Sequence, residues 1–102
     1  MSITKKFLKS KSVCKVTFRL PKEAVSNADS VSVVGEFNEW NPSATPMKSS
    51  KSGEFSTTLE LEQGNEYQFR YLINGQDWTN DNEADKFVSS PYGDAQNSVI
   101  VL

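Results

Sequence analysis

Three side chains in this sequence sit where they could do chemistry. They are Trp40, within the stretch VVGEFNEWNP; Trp78, just past Asn74-Gly75; and Arg70, between Phe69 and Tyr71. A flat indole can cover the C–H face of a pyranose ring, and guanidinium or amide forks meet vicinal hydroxyls through paired hydrogen bonds. Burying one sugar face on one indole contributes on the order of 1–3 kcal/mol by area. Two stacked sugars with a few wet hydrogen bonds would bind in roughly the millimolar to tens-of-micromolar range. The same residues have plain structural readings. A sandwich commonly hides a Trp at its centre, and an Arg on a strand is commonly a solvated cation. The indole of Trp40 is either folded back into a core or held out to touch something, and the binding reading requires all three residues to share one open face.

Other chemistries are poorly provided for. The chain contains no histidine, which removes the usual imidazole base, the Ser-His and Cys-His pairs and the commonest zinc ligand. A carboxylate-only glycosidase needs a deep site that about 100 residues seldom supply, so no catalytic residue and no cofactor is expected. Asp77, Asp81, Glu83 and Asp85 form an acidic loop. It departs from the calcium-loop pattern, with Lys86 where the loop glycine would stand and no closing glutamate, so no metal is expected. Seven of the eleven basic residues lie within the first twenty-two positions; beyond Lys22 there are thirteen acids and four bases. That imbalance repels phosphate and argues against a nucleic-acid partner. The single cysteine, Cys14, excludes an internal disulfide and reads as a small buried hydrophobe. No apolar run suits a signal peptide or a membrane span, so a cytoplasmic protein with no membrane partner is expected.

The elements that must position these residues are strands. The 102 residues amount to one domain. Residues 1–12 read as a basic flexible tail, and residues 13–102 as the folded domain. From Cys14 to Leu20 apolar residues alternate with polar ones, and Pro21 ends the run. Residues 31–37 form a second strand, in which Gly35 suits a bulge or a close backbone approach. Residues 54–61 alternate cleanly. Tyr67, Phe69, Tyr71 and Ile73 then face one way, so Arg70, with Gln68 and Leu72, must face the other. Asn74-Gly75 is a strong hairpin signal, with a return strand from Gln76 to Thr79. A polar loop to Gln96 leads to a last strand, Ser98 to Leu102. Lys22 to Ala28 is compatible with a single helical turn. Regular strand spacing with almost no helical periodicity predicts an all-β, antiparallel sandwich.

At this point the sequence resembles a known family. VVGEFNEWNP, then GEFSTTLELEQGNEYQFRYLINGQDWTNDNEA, then SSPYGDAQNSVIVL are similar to the glycogen-binding domain of the AMP-activated kinase β subunit. They are similar as well to the N-terminal early-set domains of isoamylases and branching enzymes, grouped as carbohydrate-binding module family 48. The resemblance covers residues 13–102. It implies an immunoglobulin-like sandwich that binds α-1,4-linked glucan on one outer face. The Trp of the F-N-x-W turn falls on Trp40, the basic residue of the Y-x-F-[RK] strand on Arg70, and the Trp after the hairpin on Trp78. The loop before the last strand supplies a bulky side chain and polar groups, which fall near Tyr92, Gln96 and Asn97. Tyr92 stands where an aliphatic residue is usual, and Gln96 replaces a frequent Asn. The hairpin is one residue longer before Trp78 than the kinase-type pattern, and an extra strand residue reverses the face a side chain takes unless a bulge absorbs it.

The expectation is therefore a stand-alone, non-catalytic module binding glycogen or maltooligosaccharide on an exposed Trp platform. The alternative is an early-set protein-interaction module, associating with a glycogen-metabolising enzyme or another partner without sugar binding. In that case the tail at 1–12, with Phe7 and Leu8, is the segment that would dock.

Overall fold

The computed structural model describes residues 2–9, 12–25, 28–90 and 95–102. Among these residues nine strands follow in order: β1 (Ser2–Phe7), β2 (Val13–Leu20), β3 (Val31–Gly35), β4 (Lys48–Ser49), β5 (Phe55–Glu62), β6 (Glu66–Ile73), β7 (Asp77–Thr79), β8 (Lys86–Ser89) and β9 (Gln96–Val101). All pairings are antiparallel. One sheet runs β1-β2-β5-β4 and the other β3-β6-β9-β8, with β7 also on β6. The expected all-β, immunoglobulin-like sandwich is the fold. The helix-compatible piece after Pro21 is a 3₁₀ turn, Lys22–Ala24.

The core follows the two-residue period of the sequence. Cys14, Val16, Phe18 and Leu20 from β2 are fully buried against Val31 and Val33 from β3, Phe69 and Tyr71 from β6, and Ile100 from β9. Phe18 meets Phe69 edge-on, with ring centroids 5.2 Å apart, and Phe69 meets Tyr71 likewise at 5.7 Å. Such pairs add about 0.5–1.5 kcal/mol beyond their buried area. Tyr71 donates to the wholly buried Asp81 at 2.6 Å. Burial foremost, then the charge and hydrogen bond of Asp81, push the Tyr71 hydroxyl far above its ordinary pKa. Asp81 also accepts from the Glu83 N–H, and its own N–H donates to the Ser98 hydroxyl. This carboxylate is therefore used inside the fold, tying the loop after β7 to β9.

Several elements differ from expectation. The N-terminal segment is not a tail over its described length: Ser2–Phe7 pairs along β2 from Arg19 to Cys14. Lys5 hid this strand, because it occupies the inward parity beside Val16 and breaks the apolar alternation. Its ammonium reaches the sandwich rim, where it meets Asp85 at 2.6 Å and the Val101 carbonyl at 3.1 Å. Two further strands are missing from the sequence reading: the short β4, and β8, within the expected polar loop. The last strand starts two residues earlier than expected, at Gln96. Finally, β3 stops at Gly35 and turns into a 3₁₀ turn, Glu36–Asn38, instead of running on to Phe37. Gly35 is required there. A Cβ on it would lie 2.4 Å from the Gln68 carbonyl oxygen and 2.7 Å from the Phe69 Cβ, so β3 could not approach β6.

Candidate functional site

The outer face of the second sheet is a small grid set by register. Val34 of β3 lies beside Arg70 of β6, and Leu72 lies between Ser32 and Trp78. On the other side of β6, Gln68 lies beside Val99, and Asn97 stands two residues before Val99 on the same face. Cross-strand partners share a face, so Gln68, Arg70, Trp78 and Asn97 all point outward together. The Trp78 placement depends on the hairpin. Ile73 pairs with Asp77, leaving Asn74, Gly75 and Gln76 as a three-residue turn. Asn74 and Gly75 take positive φ values, 54° and 67°. A two-residue Asn-Gly turn would have paired Ile73 with Gln76, shifted the ladder by one and placed Trp78 on the Tyr71 side. The additional residue is absorbed in the turn, not in the strand.

Trp40 reaches the same face by a different device. The Asn38 amide grips the turn from within: its Oδ1 accepts from the Gly35 N–H at 3.0 Å, and its Nδ2 donates to the Val33 carbonyl and to the Thr45 hydroxyl, both at 3.0 Å. Phe37 supplies the inward anchor, packing on Phe18 and Phe69 with centroids 6.0 and 6.4 Å away. The chain then reverses through Glu39 and Trp40, both left-handed at φ 59° and 58°, and the Trp40 N–H donates to the Gly35 carbonyl at 2.8 Å. Left-handed backbone costs on the order of 1 kcal/mol for each non-glycine residue. Phe37 fills the interior role the turn offers, and Trp40, three residues on, is left 37% exposed; Trp78 is 47% exposed. Neither indole plugs the sandwich.

Together these residues line a concave pocket of about 620 Å³ formed by Glu36, Trp40, Gln68, Arg70, Trp78, Ser90 and Asn97. Arg70 is central. Its Nε donates to Asn97 Oδ1 at 2.6 Å, and Asn97 Nδ2 in turn donates to Gln68 Oε1 at 3.0 Å. Among the described residues, Arg70 Nη2 is the buried side-chain polar atom that finds no acceptor. The chain Gln68–Asn97–Arg70 thus orients the guanidinium while leaving one of its buried donors unspent. Asn97 is positioned by a support behind it. The Asn80 side chain bridges β7 to β9, accepting from the Ser98 N–H at 3.0 Å and donating to the Gln96 carbonyl at 2.7 Å.

Of the residues expected from sequence, Trp40, Arg70, Trp78 and Asn97 come together. Gln96 has the opposite strand parity to Asn97, is exposed, and does not line the pocket. Tyr92 lies outside the described residues. Sequence reasoning passed over Glu36 and Ser90 as site residues and treated Gln68 only as a neighbour. A signal was present for Gln68, which stands two positions from the outward Arg70 on β6; Glu36 lies past the end of β3 in a 3₁₀ turn, where strand parity does not place it. Among the described residues, no grouping of His, Cys, Asp or Glu could hold a metal ion. Asp85, in the acidic loop, is engaged by Lys5 and by the Val101 N–H.

The family described as the glycogen recognition site of AMP-activated protein kinase matches residues 15–102. The chain belongs to that family. No individual curated protein matches it. Membership makes this a carbohydrate-recognition module, and the matched segment contains every residue that lines the pocket, while β1 lies outside it.

Proposed function

We propose that this domain is a non-catalytic module that binds α-1,4-linked glucan, as glycogen or maltooligosaccharide, on the outer face of its second sheet. The observation that carries the reading is the convergence of Trp40 and Trp78, both exposed, on a pocket also lined by Arg70, whose guanidinium Asn97 orients and whose Nη2 has no protein acceptor. Trp40 and Trp78 stack on successive glucose rings, Arg70 and Asn97 read hydroxyl pairs between them, and Gln68 holds Asn97 in place. Glucan presents apolar ring faces and uncharged vicinal hydroxyls, which suit indoles and forked donors. Two stacking contacts of about 1–3 kcal/mol each give weak single-site binding, which repeated engagement along a polymer strengthens only in a multivalent assembly.

Titrating maltoheptaose while following Trp fluorescence tests the proposal. Binding between tens of micromolar and millimolar is expected, abolished by Trp40→Ala in a protein that keeps its melting temperature. A wild-type protein whose fluorescence does not respond to millimolar maltoheptaose, or a mutant that responds as the wild type does, would reject it.

A further inference from the structure

Among the described residues, Glu36 is the one carboxylate lining the pocket, and it is held in a fixed pose. Where β3 leaves the ladder at Gly35, its carboxylate replaces the missing strand carbonyl: Glu36 Oε1 accepts from the Gln68 N–H at 2.7 Å. The backbone N–H thus anchors one oxygen, and the side chain as a whole is exposed. Glu36 follows the last ladder residue of β3, and its bond to Gln68 holds its carboxylate two residues along β6 from Arg70. The two opposite charges nevertheless form no ion pair. The ion pairs among the described residues are Lys5–Asp85 and Lys86–Glu66. The pocket therefore holds a guanidinium with a donor to spare and, apart from it, a carboxylate with an acceptor to spare.

Without Glu36, Arg70 would be a lone cation in a half-enclosed pocket, which is a site for anions. With Glu36 exposed and Arg70 half-buried and bonded to Asn97, the more accessible of the two charges is the negative one, and the carboxylate adds an acceptor. We propose that Glu36 sets the charge specificity of this site: its carboxylate accepts a sugar hydroxyl and excludes glycans carrying phosphate or other anionic groups. This rests on the glucan-binding reading above and narrows it to uncharged glucan. Two like charges about 5 Å apart disfavour binding roughly four-fold at the dielectric of water, and by more in a partly enclosed pocket.

The test compares maltoheptaose with maltoheptaose carrying one 6-phosphate, by calorimetry, on wild type and Glu36→Gln. Gln keeps an oxygen for the Gln68 N–H, so the fold is retained, while the charge and the free acceptor are lost. Wild type should favour the neutral sugar by about five-fold or more, and raising salt from 20 mM to 500 mM should shrink that preference. Glu36→Gln should weaken maltoheptaose by about three- to ten-fold and bring the preference to two-fold or less. A wild type that binds both sugars equally, or a variant with the wild-type preference, overturns the role of Glu36 while leaving glucan binding intact. The salt dependence of the wild type decides the matter independently of the variant. If wild type binds neither sugar, the glucan reading itself fails, and the proposal with it.

Discussion

Replacing Arg70 by Met separates what this residue does for the fold from what it does for a ligand. Two terms oppose each other in the free protein. Losing the Nε bond to Asn97 Oδ1, 2.6 Å long, costs about 1.5–3 kcal/mol as a charged hydrogen bond. Removing Nη2, buried without an acceptor, returns a desolvation penalty of about 1–3 kcal/mol. The Met stem still packs beside Val34 and Leu72, and Asn97 keeps its bond to Gln68. The net change should lie within about 1 kcal/mol either way, a melting-temperature shift of no more than about 4–8 °C. Binding has no such compensation. The hydroxyl contacts of a charged donor, worth about 1.5–3 kcal/mol, vanish, and maltoheptaose affinity should fall by roughly 10- to 150-fold. Calorimetric titration alongside thermal unfolding reads both. A drop of 15 °C or more would show that Arg70 is a structural keystone, and unchanged affinity would show that its spare donor faces no sugar. Either result refutes the reasoning.

Trp40→Gly and Trp40→Ala should both abolish glucan binding, yet the Gly variant should be the more stable by about 1 kcal/mol, because position 40 is left-handed at φ 58°; urea unfolding of the pair measures the difference. Deleting Gln76 should leave an Asn-Gly two-residue turn with the Ile73–Asp77 register intact, so Trp78 stays outward and affinity stays within about three-fold; loss of binding would show that the additional residue is not absorbed in the turn. Burial raises the pKa of the Asp85 carboxyl, but the Lys5 hydrogen bond, the Val101 N–H and the Lys5 charge outweigh it and hold the group below the ordinary 3.8. A lowered value in the folded state stabilises above the unfolded carboxyl range and is lost as pH falls through the folded value. Melting temperature should therefore decline from about pH 4 downward, and Asp85→Asn should flatten that decline while lowering the melting temperature at neutral pH.

How much of this was legible in sequence follows from which residues obey a period. The β2 and β6 alternations fixed both sheets' inner faces, and with them the outward direction of Arg70, because a two-residue period leaves no choice. Trp40 carried no such information. Its exposure results from a turn in which Phe37 takes the interior place and Asn38 folds back on Gly35, and neither event has a spacing signature. Trp78 was ambiguous for a definite reason: one residue more or less in the turn reverses its face, and composition does not say where the chain places that residue. β1 was hidden by Lys5, which answers a carboxylate eighty residues away. The assignment near β9 divided for the same reason of parity: Asn97 and Gln96 are adjacent and both polar, but only one of them can share the face of Arg70.

The energetics of the two outer faces argue that the pocket is where this fold departs from its own best stability. The β1-β2-β5-β4 sheet presents matched polar rows to solvent, such as Thr17 and Thr58, whose hydroxyls bond to each other at 2.9 Å. The opposite sheet gathers several unfavourable features on one side: two wet indoles, two consecutive left-handed residues, and a buried guanidinium nitrogen without an acceptor. Any one of them alone would be an ordinary imperfection. Converging on one pocket, they share a cause if each is relieved or used by the same ligand. A glucan would cover the indoles, give Arg70 its acceptor, and make the rigid Gly35–Trp40 turn an advantage, since the ring it carries is already in place when the sugar arrives.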